Sequence, residues 1–203
     1  MRDEFTKALQ FRHACRSFDE KKRVPRSDLE YILEAGRMAP SSLGVEPWRF
    51  LVVEDEQLRR RLRPSCWNQV QITTASAVVV ILARNADIRS DSPYIQRMLG
   101  RMLPAGAKLD TVVDLFREMP HGASLVDWSI AQCHLAAAMM MMAAAAIGVD
   151  TCPIGGFMAE PMADILKIDR TQFEIALLLA IGYRSQEPGP RHRLSFADVV
   201  EFR

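Results

Sequence analysis

Three segments of this 203-residue chain combine residue types that could do chemistry. The first is Arg12-His13-Ala14-Cys15-Arg16-Ser17-Phe18. Two guanidiniums four residues apart with an imidazole between them suit a phosphate or another anion. Taken alone, a solvated basic turn fits the same composition better. The second is Ala39-Pro40-Ser41-Ser42-Leu43-Gly44-Val45-Glu46-Pro47-Trp48, where small polar residues between two prolines make a rigid loop. In isolation it reads as a helix-to-strand connection with Trp48 in the core. The third is Cys152-Pro153-Ile154-Gly155-Gly156-Phe157. Paired glycines let a backbone approach a flat ligand and present amides to it, and they equally make a tight turn. Other chemistries lack their motifs. Cys15, Cys66, Cys133 and Cys152 form no CxxC pair, the four histidines are dispersed, and no G-x-G-x-x-G or GxxxxGK[ST] occurs. A zinc site, a catalytic triad, a Rossmann site and a P-loop are therefore unsupported.

Local patterns place these segments on elements. Residues 3–12 read as a short helix and 13–25 as a charged loop. Ser27-x-x-Glu30 has the spacing of a capping box, so a helix from about 28 to 39 follows, ended by Pro40. Strands are expected at 49–53, 77–83, 150–153 and 175–183, with a charged helix over 55–63 and a short one over 161–166. Ser124 caps a long helix to Ile147, stopped by Gly148. From Leu135 that helix is apolar all round, so burial on every side is expected. Its apolar run is shorter than the ~20 residues a bilayer requires, which makes it a core helix. Residues 90–120 are helical in tendency but broken by Pro93, Gly100, Pro104 and Gly106. Residues 185–195 form a Pro/Gly loop with three basic residues, and 199–202 read as a terminal strand. Strands separated by long helices imply a helix-covered sheet in one domain spanning 1–203.

Composition bounds the partners. Lys+Arg is 26 and Asp+Glu 25, a net charge of +1, so nucleic acid is not expected as a partner. No apolar leader stands at the N-terminus, and the unpaired cysteines fit a reducing cytosol, so a cytoplasmic location without membrane attachment is expected.

The four landmarks R-H-x-x-R-S-F, A-P-S-S-L-G-x-x-P-W-R-F, P-I-G-G-F and L-L-A-I-G-Y followed by R-H-R-L occur in this order. In order and spacing they resemble the nitroreductase family of FMN flavoproteins, from about residue 9 to the end. Residues 84–122 match poorly. The resemblance implies an α+β fold with a mixed or antiparallel sheet, and a homodimer in which the C-terminal strand is exchanged. It implies that Arg12, His13 and Ala14 hold the ribityl phosphate of FMN and that Arg16 approaches the pyrimidine edge. Pro40, Ser41, Ser42 and Gly44 match a loop that reaches the cofactor from the other subunit. Asn68 matches a pyrimidine-edge hydrogen bonder, and Gln71 stands where close relatives often carry lysine. Pro153, Ile154, Gly155 and Gly156 match the turn along the flavin, and Arg191 and Arg193 a basic pair that closes over the phosphate. Gly44 departs from an asparagine of some members and Gly155 from a glutamate. The Gln71 departure matters more, because an amide supplies no full charge.

The expected activity is electron transfer from NADH or NADPH through FMN to a small acceptor, such as a nitroaromatic or quinone, in a two-step exchange at one flavin face. No catalytic protein nucleophile is expected, since the chemistry belongs to the flavin and Arg16 acts electrostatically. Phe116, in the variable region, is the candidate for lining the substrate channel. The alternatives are another branch of the same family, a flavin carrier or sensor, and a flavin-free interaction protein. A yellow protein excludes the last, and acceptor-dependent NAD(P)H oxidation separates an enzyme from a carrier.

Overall fold

A computed structural model describes residues 1–101, 103, 108–119, 121–122 and 124–203. The expected breakers Pro104 and Gly106 lie outside the described residues. Helices α1 to α4 span Arg2–Phe11, Arg26–Arg37, Glu56–Leu62 and Gln71–Thr74. Helices α5 to α9 span Pro93–Gly100, Leu109–Glu118, Leu125–Ala146, Ala159–Leu166 and Phe196–Val199. Strands β1 to β4 are Trp48–Val53, Ala77–Arg84, Asp150–Ile154 and Phe173–Gly182. The sheet order is β1-β2-β4-β3 and every pairing is antiparallel. Of the two sheet types expected, mixed or antiparallel, the chain forms the antiparallel one.

Strand β2 is buried along both faces, which is why it reads as an unbroken apolar run rather than an alternation. Its pleat sends Ala77, Val79, Ile81 and Ala83 into one core with α2 and α7 residues such as Ile32, Ala137 and Met140. Val78, Val80 and Leu82 face a second core with Leu62, Ile72 and Met162. A third cluster joins Val45, Ile95, Leu99, Val113, Phe116 and Trp128.

Helix α7 begins as expected, with the Ser124 hydroxyl accepting the Asp127 amide, and it ends before Gly148, whose φ of 76° suits glycine. At 22 residues it is long and apolar enough to cross a membrane by length and composition. Cys133, Ala136, Ala137, Met140 and Ala144 are instead buried in the sheet-facing core. Burial on every side is not found within one chain: Leu135 is 44% exposed and Met139 42%. The sheet and α2 cover the opposite side, while these two side chains stay open.

Two local expectations fail for identifiable reasons. Helix α2 starts at Arg26 behind Pro25, whose φ of −56° already suits a helix entry. Ser27 therefore lies inside the first turn, and the Ser27–Glu30 capping box does not form. The expected strand at 199–202 is also absent. A capping box between Ser195 and Asp198 starts α9, which takes Val199 into its only turn, while Val200 is already extended at φ −128°. Phe196, Val199 and Phe202 are exposed.

Candidate functional site

Helix α1 ends at Phe11, and the chain then runs extended along the free edge of β3. Ala14 bridges Thr151, and the Cys15 amide donates to the Thr151 carbonyl at 3.0 Å. This brings Arg16 beside Cys152. The Cys152 thiol is pushed up by burial, and the Arg16 charge partly opposes that shift. The segment after β4 closes the opposite wall. Asp19 donates its amide to Tyr183 (2.8 Å) and Ser185 donates its own to Ser17 (3.1 Å). Between them lies a cleft of about 700 Å³, lined among others by Arg12, His13, Ala14, Arg16, Arg191 and Arg193. The two basic segments, far apart in sequence, thus share one cavity.

The cleft is predominantly cationic: its one lining carboxylate among the described residues, Glu187, is paired with Arg184 at 3.1 Å. Among the described residues no carboxylate pairs with Arg12, Arg16, Arg191 or Arg193. Arg12 is held below its ordinary pKa, first by burial and then by the charges of Arg191 and Arg193. Arg191 donates to the carbonyls of Leu9 (2.7 Å), Gln10 (2.9 Å) and Arg12. It so caps the C-terminus of α1, where carbonyls lack partners and the helix dipole is negative.

Asp150 ties the walls together, a role that the sequence reading missed. It is 3% exposed at the start of β3. Arg184 Nε donates to its two oxygens at 3.0 and 3.1 Å, and the Arg184 amide donates at 2.9 Å. His13 Nδ1 lies 3.6 Å from the same carboxylate. The Arg184 guanidinium stands 4.2 Å from the centre of the Phe11 ring. The available signal was a lone acid opening an otherwise apolar strand.

The glycine turn follows β3. A Cβ on Gly156 would lie 2.5 Å from the Trp67 ring, so a side chain there would displace the indole. Gly155 has no atom within 4 Å of such a position. Gln69 donates to the Gly156 carbonyl (2.9 Å), and buried Gln71 donates to Gln69 (2.9 Å). Trp67 and Asn68 both take positive φ, 52° and 55°. Arg63 donates to the Asn68 carbonyl at 3.1 Å, while the Asn68 side chain is exposed. Trp67 and Gln69 were not legible as site residues, because their partner lies nearly ninety positions away. Pro153 is exposed and Ile154 buried in β3.

The Pro40–Gly44 loop lies apart. Ser42 donates its amide to Gln132 of α7 (3.0 Å), and the Ser41 hydroxyl accepts the Glu46 amide (2.8 Å). Among the described residues no hydrogen bond joins this loop to the cleft. Phe116, expected to line a channel, is 1% exposed. It packs edge-on against His121 and Trp128, so within one chain it faces core rather than an open channel. Burial pushes the Cys15 thiol up to about 11 and those of Cys66 and Cys133 up to about 12, so these three are held protonated at neutral pH. All four cysteines are unpaired, and no metal-binding cluster occurs among the described residues.

The sequence model of the Nitroreductase family matches residues 9–183. This chain belongs to that family. A Staphylococcus aureus protein provisionally named an NAD(P)H nitroreductase is 40% identical, over 96% of this chain and 93% of its own. A Bacillus subtilis protein provisionally named NAD(P)H nitroreductase YfkO is 39% identical over 100% and 98%. Among solved structures, a nitroreductase from Exiguobacterium sibiricum in complex with FMN, also provisionally named, superposes with a TM-score of 0.83. It is 25% identical, and the alignment covers 98% of this chain and 97% of that one. The family match takes in the basic segment, the proline-flanked loop and the glycine turn of this nitroreductase-family chain. Arg191, Arg193 and the tail lie beyond it.

Proposed function

We propose that this protein is an FMN-dependent oxidoreductase that passes electrons from NADH or NADPH to a small oxidised acceptor such as a nitroaromatic or quinone. The observation that carries the reading is the convergence of Arg12, Arg191 and Arg193 on one cleft, with no carboxylate paired to any of them among the described residues, a setting suited to a phosphate dianion. The FMN-bound relative and the names of the NAD(P)H-linked relatives support it.

The residues present fit the cofactor. Arg12, His13 and Arg193 would hold its phosphate, with Arg191 fastening the wall they share. Among the described residues no chain acceptor takes the Gly155 and Gly156 amides, and Gly155 leaves space for a flat ring. FMN held there would supply the two-electron chemistry that links the nicotinamide donor to the acceptor. The chain supplies placement, amide donors and the fixed positive charge of Arg16. Gln69 and Gln71 hold the turn in register. The deciding experiment is a visible spectrum of the purified protein, chromatography of the released flavin, and NAD(P)H oxidation with and without an acceptor. A colourless protein, or one that releases FAD, contradicts the proposal.

Arg16→Ala is expected to lower the reduction potential of bound FMN, since a neighbouring cation favours added electrons. A shift of about 30 mV corresponds to about 1.4 kcal/mol for two electrons, the scale of one lost charge contact. Equilibration of the protein with redox dyes measures it. An unchanged potential would make Arg16 a plain surface charge.

We further propose a two-fold dimer with the FMN sites at its interface. Leu135 and Met139 on α7, and Phe5 and Leu9 on α1, leave large apolar side chains exposed on helices that pack together. The separation of the Pro40–Gly44 loop from the cleft has the same solution if the loop serves the partner's site. The exposed tail would cross over to the partner. The interface should exceed the ~2,000 Å² that begins the obligate class. Deleting residues 196–203 is expected to weaken dimerisation and FMN retention together, read by sedimentation and flavin content. A flavin-saturated full-length monomer would refute the dimer, and a truncated protein that stays dimeric and yellow would refute the role of the tail.

A further inference from the structure

The loop proposed to contact FMN is held in an unusual backbone conformation by side chains from elsewhere in the chain. Leu43, Gly44 and Glu46 take φ values of 50°, 61° and 48°. The glycine adopts this region freely, but leucine and glutamate do so only when their surroundings impose it. Helix α5 and its C-terminal cap impose it here. Arg101 donates to the Gly44 carbonyl at 3.0 Å, and the same nitrogen ion-pairs with the Glu46 carboxylate. The Tyr94 hydroxyl lies 3.0 Å from the Val45 carbonyl and 2.7 Å from that of Glu46, so its single proton is shared between them. Three successive carbonyls are thus fixed from one side.

The clamp is itself braced. The Arg84 guanidinium lies 3.9 Å from the centre of the Tyr94 ring and is tied to Asp87 at 2.8 Å. Ile95 and Leu99 of α5 are buried in one cluster with Val45 of the loop. Val45 is buried, while Pro40 is exposed and Ser41 to Gly44 are partly exposed. We infer that Tyr94 and Arg101 are positioning residues, through which α5 sets the geometry of the Pro40–Glu46 loop and so the tightness of FMN binding. The inference rests on the proposed function, in which this loop serves a flavin site.

The test compares the full-length protein with Tyr94→Phe, Arg101→Gln and the double variant. Gln96→Ala, an exposed position on the same helix, is the control. FMN affinity is read by titration of flavin fluorescence, and melting temperature is read with and without added FMN. Each clamp variant is expected to bind FMN about tenfold more weakly, the scale of one lost hydrogen bond. Each should also show a smaller FMN-induced rise in melting temperature, while Gln96→Ala changes neither. The double variant should lose less than the product of the two, because both residues hold one loop. Equal falls in melting temperature with and without FMN, at unchanged affinity, would show a purely structural role and overturn the inference. If Tyr94→Phe does not fold, Arg101→Gln, whose side chain is 45% exposed, decides alone by the same readings. A wild-type protein that binds no FMN would remove the proposed function itself. Wild-type binding matched by the variants would remove only the inference.

Discussion

Replacing Arg12 and Arg193 together by glutamine is expected to abolish practical retention of FMN while leaving the fold intact. A hydrogen bond to a charged group contributes about 1.5–3 kcal/mol, so two lost phosphate contacts remove about 3–6 kcal/mol. At about 1.4 kcal/mol per tenfold, affinity should fall by roughly two to four orders of magnitude. Exposure of Arg193 to water places the result toward the low end. The sign of the stability effect separates a ligand site from a structural cluster. Arg12 is disfavoured as a cation by its burial and by Arg191 and Arg193. Without cofactor, removing two of the three charges relieves repulsion, so the empty variant should melt no lower than the empty wild type. The stabilisation that FMN confers on the wild type should disappear. Fluorescence titration and thermal melts with and without FMN measure both quantities. Variant binding within a few-fold of wild type would place the phosphate elsewhere.

Asp150→Ala should bring the largest loss of stability from a single polar substitution. The change leaves Arg184, a side chain only 16% exposed, with no carboxylate but the exposed Glu187 at 3.1 Å. Breaking one partner of a buried pair costs about 3–5 kcal/mol, and the residual access of water to Arg184 argues for the lower figure. The Arg184 amide and His13 lose a neighbour in the same step. Asp150→Asn keeps an acceptor for that amide and should cost less. The expected result in urea is a lower unfolding midpoint at unchanged slope, together with looser FMN, because both cleft walls meet at this carboxylate. An Asp150→Ala protein with a wild-type midpoint would show that the pair contributes nothing.

The parts of the fold legible from sequence were those governed by neighbours in the chain. Ser124 and Gly148 bracket α7, and continuous apolar runs mark β2 and β4, because caps and strand cores act within a few residues. Where two local signals competed, the pattern misled. Pro25 displaced the Ser27 box, and the Ser195–Asp198 cap drew the β-branched Val199 into a short helix. The chemical character of the basic segment and of the glycine turn was also legible, since charge and the absence of a side chain belong to the residues themselves. Tertiary structure alone decided their company. Ordering the sheet β1-β2-β4-β3 leaves β3 at an edge beside β4. Residues 13–15 can therefore run along that edge, and the segment after β4 emerges next to them. That places Arg191 on the carbonyls that end α1, about 180 positions away, and brings Arg184 to Asp150. No local propensity encodes such meetings, because their free energy is realised only after the long loops between them have closed.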